Sequence, residues 1–338
     1  MPKLSVIMPC FNKAEYLIEM IDSIKSQTYS DWELIIVDDG SDEINYQKIK
    51  ECANTDDRIQ YTKRNRLPKN GDTCRNIGMD MATGEYLIIF DADDLISQTC
   101  FENRVSFMDQ HPECDYATFP ASSFLDGTST HQLRSFAPSI DNLVERILSG
   151  SYPFTVWANI YKREALSSIR WDENLFIYQD FDFMFQCAQK GLRHLWANSK
   201  EPDYYYRLFN NGNSVCSTVV SEQKVKSTNY LFDKTLTVIS KEQNNEHLLE
   251  AYFKFAVIQL EQLLLSNKED YINSFVETIA KYYPSKGEQL TRIVKQTKDH
   301  TSGHYNLFKL YKRLYSLCGE RVYRSFMIHE FVKIFIIK

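Results

Sequence analysis

The sequence predicts an α/β chain, a mostly parallel sheet flanked by helices and continued by a C-terminal helical region. Three observations carry that reading. Short apolar runs rich in strand-forming residues, Leu4–Met8 and Glu33–Val37, bracket a segment in which Leu17, Met20, Ile21 and Ile24 recur at helical spacing. A strand, a helix and a strand within about 35 residues make a βαβ unit, which implies parallel pairing. Polar residues then gather where each strand ends, at Pro9, Phe11 and Asn12, at Asp38 to Ser41, and at Asp91 and Asp93. Open α/β sheets bind ligands at that carboxyl edge.

The elements follow in order. Asn12 stands before the first helix with Glu15 three residues on, the spacing of a helix cap. Arg58–Thr62 reads as the next strand, Thr73–Ala82 as a helix and Tyr86–Phe90 as a buried strand, so the first 95 residues make half of an open sheet. From Gln98 the pattern loosens into a helix, a strand at Asp115–Phe119 and a turn at Asp126-Gly127. Asp180–Lys190 reads as a helix, and DYYYR at 203–207 as a strand or tight loop. A boundary near 220 separates this region from a helical remainder, in which 248–265 carries apolar residues at helical spacing. The expected domains are therefore 1–220, with halves at 1–95 and 96–220, and 221–338.

Composition narrows the function classes. The 338 residues are 43% hydrophobic and 25% charged, which is globular. A formal charge of -6 argues against a nucleic-acid partner. Eight scattered cysteines, without a C-x-x-C pair, read as reduced thiols of a cytoplasmic protein. The apolar stretch before Pro9 is too short for a signal peptide, and no window approaches the roughly 18 apolar residues of a membrane span.

Asp91, Asp93 and Asp94 directly follow the apolar run YLIIF. Carboxylates so crowded need a positive partner. Two of them, two residues apart at a strand end, can turn to one Mg²⁺ or Mn²⁺ that is also held by diphosphate oxygens; alternatively, Asp93 or Asp94 caps the helix that begins near Ser97. Asp39, in VDDGSDE, can accept the N3–H of uracil or the N1–H of guanine and would refuse cytosine, unless it belongs simply to an Asp-rich turn. Phe11 offers a ring for a base to stack on, or is buried.

Together, PKLSVIMPCFNKAEYLIEMIDSIKSQTYSDWELIIVDDGSDE, TCRNIGMDMATGEYLIIFDADD and IYQDFDF resemble the family 2 glycosyltransferases of the GT-A, Rossmann-like fold over roughly residues 3–215. The resemblance implies an inverting enzyme that uses a nucleotide-diphosphate sugar, a UDP-sugar by preference, with Mn²⁺ or Mg²⁺ as cofactor. It implies that Asp39 binds the base, that Asp93 ligates the metal and that Asp91 helps near the ribose or metal. Phe11 stands where the family has a stacking tyrosine, with Pro9 and Asn12 beside it, and Arg75 and Asn76 look like donors toward the diphosphate or sugar.

Inversion by single displacement needs a general base on the acceptor side. Asp180, in YQDFDF, is the candidate, with Gln179 replacing the family's glutamate. Removing that charge should ease ionisation of Asp180. Asp182 is the rival, about 200° around a helix from it, and Asp180 as a helix cap is compatible with catalysis. DYYYRLFNNGNSV resembles the family's region that closes over the diphosphate, with Arg207 present and Phe209 and Asn210 where a histidine is expected. Trp157 lines the acceptor pocket or belongs to the core.

The last segment, 304–338, holds seven basic residues, Lys309, Lys312, Arg313, Arg321, Arg324, Lys333 and Lys338, against Glu320 and Glu330. It reads as an amphipathic helix docked on its own domain or on a second subunit of a homodimer, or as a peripheral contact with an anionic membrane at the inner face of the cell membrane. The family resemblance implies an acceptor that is a saccharide or lipid-linked saccharide of bacterial cell-surface polysaccharide synthesis. Two rivals stand beside this reading. A nucleotidyltransferase would want a glycine-rich phosphate loop that PCFNKAEY lacks, and a retired transferase would bind nucleotide sugar only as a scaffold.

Overall fold

The computed structural model describes residues 1–128, 131–134, 143–150, 155–199, 201–209, 221–266 and 268–297. The chain divides into two compact units, Met1–Ile147 with Tyr152–Ser217, and Leu148–Ser151 with Thr218–Lys338. In the first, β1 (Leu4–Cys10), α1 (Ala14–Lys25), β2 (Trp32–Asp38), α2 (Glu43–Ala53), β3 (Ile59–Lys63), α3 (Gly71–Met81) and β4 (Tyr86–Ile89) alternate in the expected order. Then come β5 (Leu95–Ile96), α4 (Cys100–Gln110), β6 (Tyr116–Thr118), β7 (Ala121–Leu125), β8 (His131–Arg134), α5 (Leu143–Leu148), β9 (Asn159–Lys162), α6 (Gln179–Gln189), β10 (His194–Trp196) and β11 (Tyr204–Leu208). α7 (Glu222–Ile239), α8 (Glu246–Ser266), α9 (Glu269–Tyr282) and α10 (Pro284–Thr297) make the described part of the C-terminal region helical.

The main sheet runs β10-β6-β9-β4-β1-β2-β3. β4, β1, β2 and β3 are all parallel, and β9 is antiparallel to both its neighbours. Because β1 sits between β4 and β2, the segments after these three strands emerge side by side on one edge, which brings the acidic clusters together. A second sheet, β5-β11-β7-β8, stands beside it.

The central strands are buried on both faces, as parallel strands between helix layers must be; every residue of β2 is buried. A polar pair inside this layer is satisfied in place. Ser5 Oγ donates to Glu33 Oε1 at 2.6 Å, and Thr83 N and Oγ1 donate to the same oxygen at 2.8 Å each. Gly78 lets α3 lie flat on β1, since a Cβ there would collide with the Ile7 side chain. α4 is fixed by a fully buried Arg104, whose Nε and Nη2 pair with Asp203 at 2.8 and 2.7 Å while Nη1 donates to the Trp157 and Asn159 carbonyls.

In the helical region Phe232 packs against Tyr252, Phe255 and Phe275, and Asp233 accepts from Lys281 and Tyr282. Among the described residues no helix is long and apolar enough to cross a membrane. The segment 304–338 and Asn210 lie outside the described residues.

Candidate active site

The crowding after β4 is resolved by giving each carboxylate its own partner. Asp91 Oδ1 accepts from Arg75 Nη2 at 3.0 Å. Asp93 Oδ2 accepts from Lys13 Nζ at 2.6 Å. Asp94, 1% exposed, accepts from Tyr204 Oη at 2.5 Å and from Arg207 N at 2.7 Å. Burial, with Asp91 and Asp93 adding to it, holds the Asp94 carboxyl well above the usual carboxylate range. Asp94 therefore ties β11 to the rim and does not cap the helix expected near Ser97; α4 begins after Thr99, which makes no side-chain cap. Asp91 and Asp93 keep side chains 35% and 24% exposed, so both carboxylates are open to solvent.

Asp39 closes the end of β2. Its backbone N–H donates to Cys10 O at 2.8 Å, and its Oδ1 accepts from Arg64 Nε at 2.6 Å. Oδ2 has no donor among the described residues. Its neighbour Asp38 is wholly internal, bonded to Ser41 N and Oγ and to Tyr61 Oη. Phe11 is 48% exposed, with Lys69 Nζ 4.0 Å from its ring centroid, so the ring is not buried and stands at the rim.

Asn12 does not cap α1. It lies in the left-handed region, its N–H donates to Ser41 Oγ at 2.7 Å, and its Oδ1 accepts from Asp42 N at 3.0 Å. The free N–H of Ala14 is taken by Asn45 Oδ1 at 2.9 Å, from the neighbouring α2. The residue thus staples the β1–α1 loop to the β2–α2 loop, because the strands before them are adjacent.

Arg75 is the electrostatic centre. Nη1 pairs with Asp72 at 2.9 Å and Nη2 with Asp91, and the guanidinium lies 4.5 Å from the Trp171 ring. Burial opposes its charge, but Asp91, Asp72 and Asp180 outweigh it and raise its pKa. Asp72, 1% exposed, is pushed up to about 7 by burial against the pull of Arg75.

Asp180 lies in the first turn of α6, after Tyr178 in left-handed conformation with φ 63°. It has no hydrogen-bond donor among the described residues. Burial raises its pKa, Arg75 pulls it down and Asp91 adds to the rise, which together leave it at about 6. The neighbour that crowds it is therefore Asp91, not residue 179, where Gln179 donates to Phe176 O at 2.9 Å. Asp182 is 1% exposed and accepts from Gln186 Nε2 at 2.7 Å, so the rival carboxylate faces the interior.

Three expected site residues have other work. Asn76 is buried, and both ends of its amide hold the loop before α6, through Trp171 O, Trp171 N and Glu173 Oε1. Arg207 is 6% exposed, and its guanidinium donates to Asp126 (2.7 Å), Glu19 (2.6 Å) and the Asp93 carbonyl (2.7 Å), which ties together three segments of the fold. Trp157 is 5% exposed and stacks on Tyr204 and Tyr206, with centroids 4.4 and 5.7 Å away; it is the core tryptophan of the two alternatives. Pro9 stays in β1, paired with Val37.

Sequence reasoning passed over Lys13, Arg64, Lys69 and Asp72. Arg64 and Lys69 lie in KRNRLPKN, a basic run directly after β3, and its place at the carboxyl end of a parallel strand was a readable signal. Asp72 lies three residues before Arg75 on one helix, the spacing of an ion pair. Lys13 had no local signal.

Two hard carboxylates at a strand end suit a Mg²⁺ or Mn²⁺ ion. Among the described residues no group of three or more His, Cys, Asp or Glu side chains surrounds one point. A cation here would draw further ligands from phosphate oxygens and water.

A family profile described as Glycosyl transferase family 2 matches residues 5–177. Among curated relatives, the minor teichoic acid biosynthesis protein GgaB of Bacillus subtilis is 30% identical over 266 residues, covering 75% of this chain and 28% of that protein. The chain therefore spans little more than a quarter of that relative. An uncharacterized glycosyltransferase of Haemophilus influenzae is 30% identical over 193 residues, 56% of this chain and 73% of that one. Among solved structures, Staphylococcus aureus TarS 1-349 in complex with UDP-GlcNAc superposes with a TM-score of 0.67 at 20% identity, covering 96% of this chain and 92% of that one, which shows a shared fold. With half the chain matched by the profile, this protein belongs to glycosyl transferase family 2.

Proposed function

We propose that the protein transfers a sugar from a UDP-sugar, with inversion, to a saccharide or lipid-linked saccharide of a bacterial cell-surface polymer. One observation carries the reading: Asp39, the Asp91–Asp93 pair and Asp180, which has no hydrogen-bond donor among the described residues, gather at one rim, with Arg75 acting on both Asp91 and Asp180. The B. subtilis relative named for teichoic acid biosynthesis and the S. aureus structure holding UDP-GlcNAc support the polymer class and the donor.

Asp39 Oδ2 would accept the N3–H of uracil, and Phe11 would carry the ring face. Arg64, bound to Oδ1, keeps that carboxylate aimed. Asp93, with Asp91, would hold the divalent cation, which when bound offsets the charge of the departing diphosphate. Arg207 Nε, donating to the Asp93 carbonyl, and Tyr204 Oη, accepting the Asp91 N–H, hold this backbone in place. Asp180 takes the proton of the acceptor hydroxyl. Its pKa near 6 leaves it ionised at neutral pH while making it a stronger base than an ordinary aspartate. Arg75 binds Asp91 and pulls the Asp180 pKa down, which favours the ionised base.

The test is UDP release from a panel of nucleotide sugars with Mn²⁺ present. Asp180→Asn should cut turnover by about 10²–10⁴-fold with UDP binding unchanged. Turnover within a factor of about three of the unsubstituted protein would remove Asp180 as the base.

A further inference from the structure

Asn12 and Lys13 are consecutive non-glycine residues with φ of 55° and 57°. Side chains rarely adopt this left-handed conformation, and it persists where surrounding contacts over-determine it. Here the loop is pinned by Ser41 Oγ, Asp42 N and Asn45 Oδ1, all from the neighbouring βα loop and helix. The result is that Lys13 reaches across the rim. Its Nζ lies 2.6 Å from Asp93 Oδ2 and 4.9 Å from the Phe209 ring centroid.

Two other cations near Asp93 are committed. Arg75 is shared by Asp72 and Asp91. Arg207 meets Asp93 only at its backbone carbonyl. Lys13, with its side chain 49% exposed on a long stem, is thus the movable counter-ion of the Asp93 carboxylate among the described residues.

We infer that Lys13 is a positioning residue that couples divalent-cation binding at Asp93 to nucleotide diphosphate binding; the inference rests on Asp93 being a metal ligand. An ammonium and a cation compete for the same carboxylate oxygen. A displaced ammonium needs a new anion, and a diphosphate at the same rim supplies one. The cation therefore binds weakly alone and more tightly once diphosphate is present, and by linkage the nucleotide gains from the cation in equal measure.

The experiment titrates the full chain with Mn²⁺ alone, with UDP alone, and with Mn²⁺ at saturating UDP, following free Mn²⁺ by electron paramagnetic resonance and heat by calorimetry. Lys13→Met should bind Mn²⁺ alone about five-fold more tightly than the unsubstituted protein, bind UDP alone more weakly, and lose a similar factor of the UDP-dependent gain in Mn²⁺ affinity. Lys13→Arg, which keeps the charge, should restore the original coupling. Equal Mn²⁺ affinities and equal UDP-dependent gain in Lys13→Met and the unsubstituted protein would overturn the inference. Asp93→Asn separates the two levels. Loss of Mn²⁺ binding in that variant supports the metal site, so a flat Lys13→Met result then counts against Lys13 alone; unchanged Mn²⁺ binding in Asp93→Asn overturns the site and the coupling with it.

Discussion

Replacing Arg75 with methionine tests the electrostatic design of the base. In the folded protein Arg75 pulls the Asp180 pKa down against burial and Asp91, leaving it at about 6. Removing an opposite charge at close range raises a carboxylate pKa by about 1–3 units. The acid limb of kcat/KM for the acceptor, measured at saturating donor, should therefore move from about pH 6 to about pH 7–9. With a new value of about 7.5, the ionised fraction at about pH 6.5 falls from roughly three-quarters to roughly a tenth. The expected loss is about eight-fold there and is largely regained by about pH 9. Asp72 already sits at about 7 and takes up a proton more readily without its partner, so the cluster sheds charge instead of leaving two bare anions. The assay is initial-rate UDP release across pH, with Arg75→Lys as a charge-retaining control. A limb that stays near pH 6, or a loss equal at all pH values, would refute the role of Arg75 as the counter-ion of the base and leave it a donor-binding residue.

Other substitutions probe the base site and the frame. Asp39→Asn exchanges an acceptor-only group for one that also donates; UDP affinity should fall by about ten-fold and the preference over CDP should narrow, measured by calorimetry. Gly78→Ala should destabilise the first unit by about 1–3 kcal/mol, seen in denaturant unfolding, because the new methyl meets Ile7 where α3 lies on β1. Asp203→Ala strands the fully buried Arg104 and should cost about 3–5 kcal/mol, a large fall in melting temperature, whereas an exposed pair such as Arg170–Asp80 should cost under about 1 kcal/mol when broken.

The strands β1 to β4 and the helices between them could be read from the chain because their signals are local. Apolar runs such as ELIIV and the helical spacing of Leu17, Met20, Ile21 and Ile24 act over a few residues, and the structure places β2 and α1 there. Parallel order follows from alternation, so the meeting of Asp39, Asp91 and Asp93 on one rim was also legible. The short strands after residue 110, two of them only three residues long, carry too few residues to show a period.

Which acid does what was decided by the tertiary structure. In sequence Asp91, Asp93 and Asp94 are equivalent carboxylates; in the fold one meets Arg75, one Lys13 and one Tyr204, partners 16, 80 and 110 residues away. Likewise Arg207, Asn76 and Trp157 match a motif or a pocket by type, yet contacts with Glu19, Trp171 and Tyr204 turn them to structural work. The physical reason is range. Secondary structure follows from neighbours along the chain, whereas a charge is stabilised or freed by whatever the fold brings within a few ångströms, and that is set only when the strands take their order.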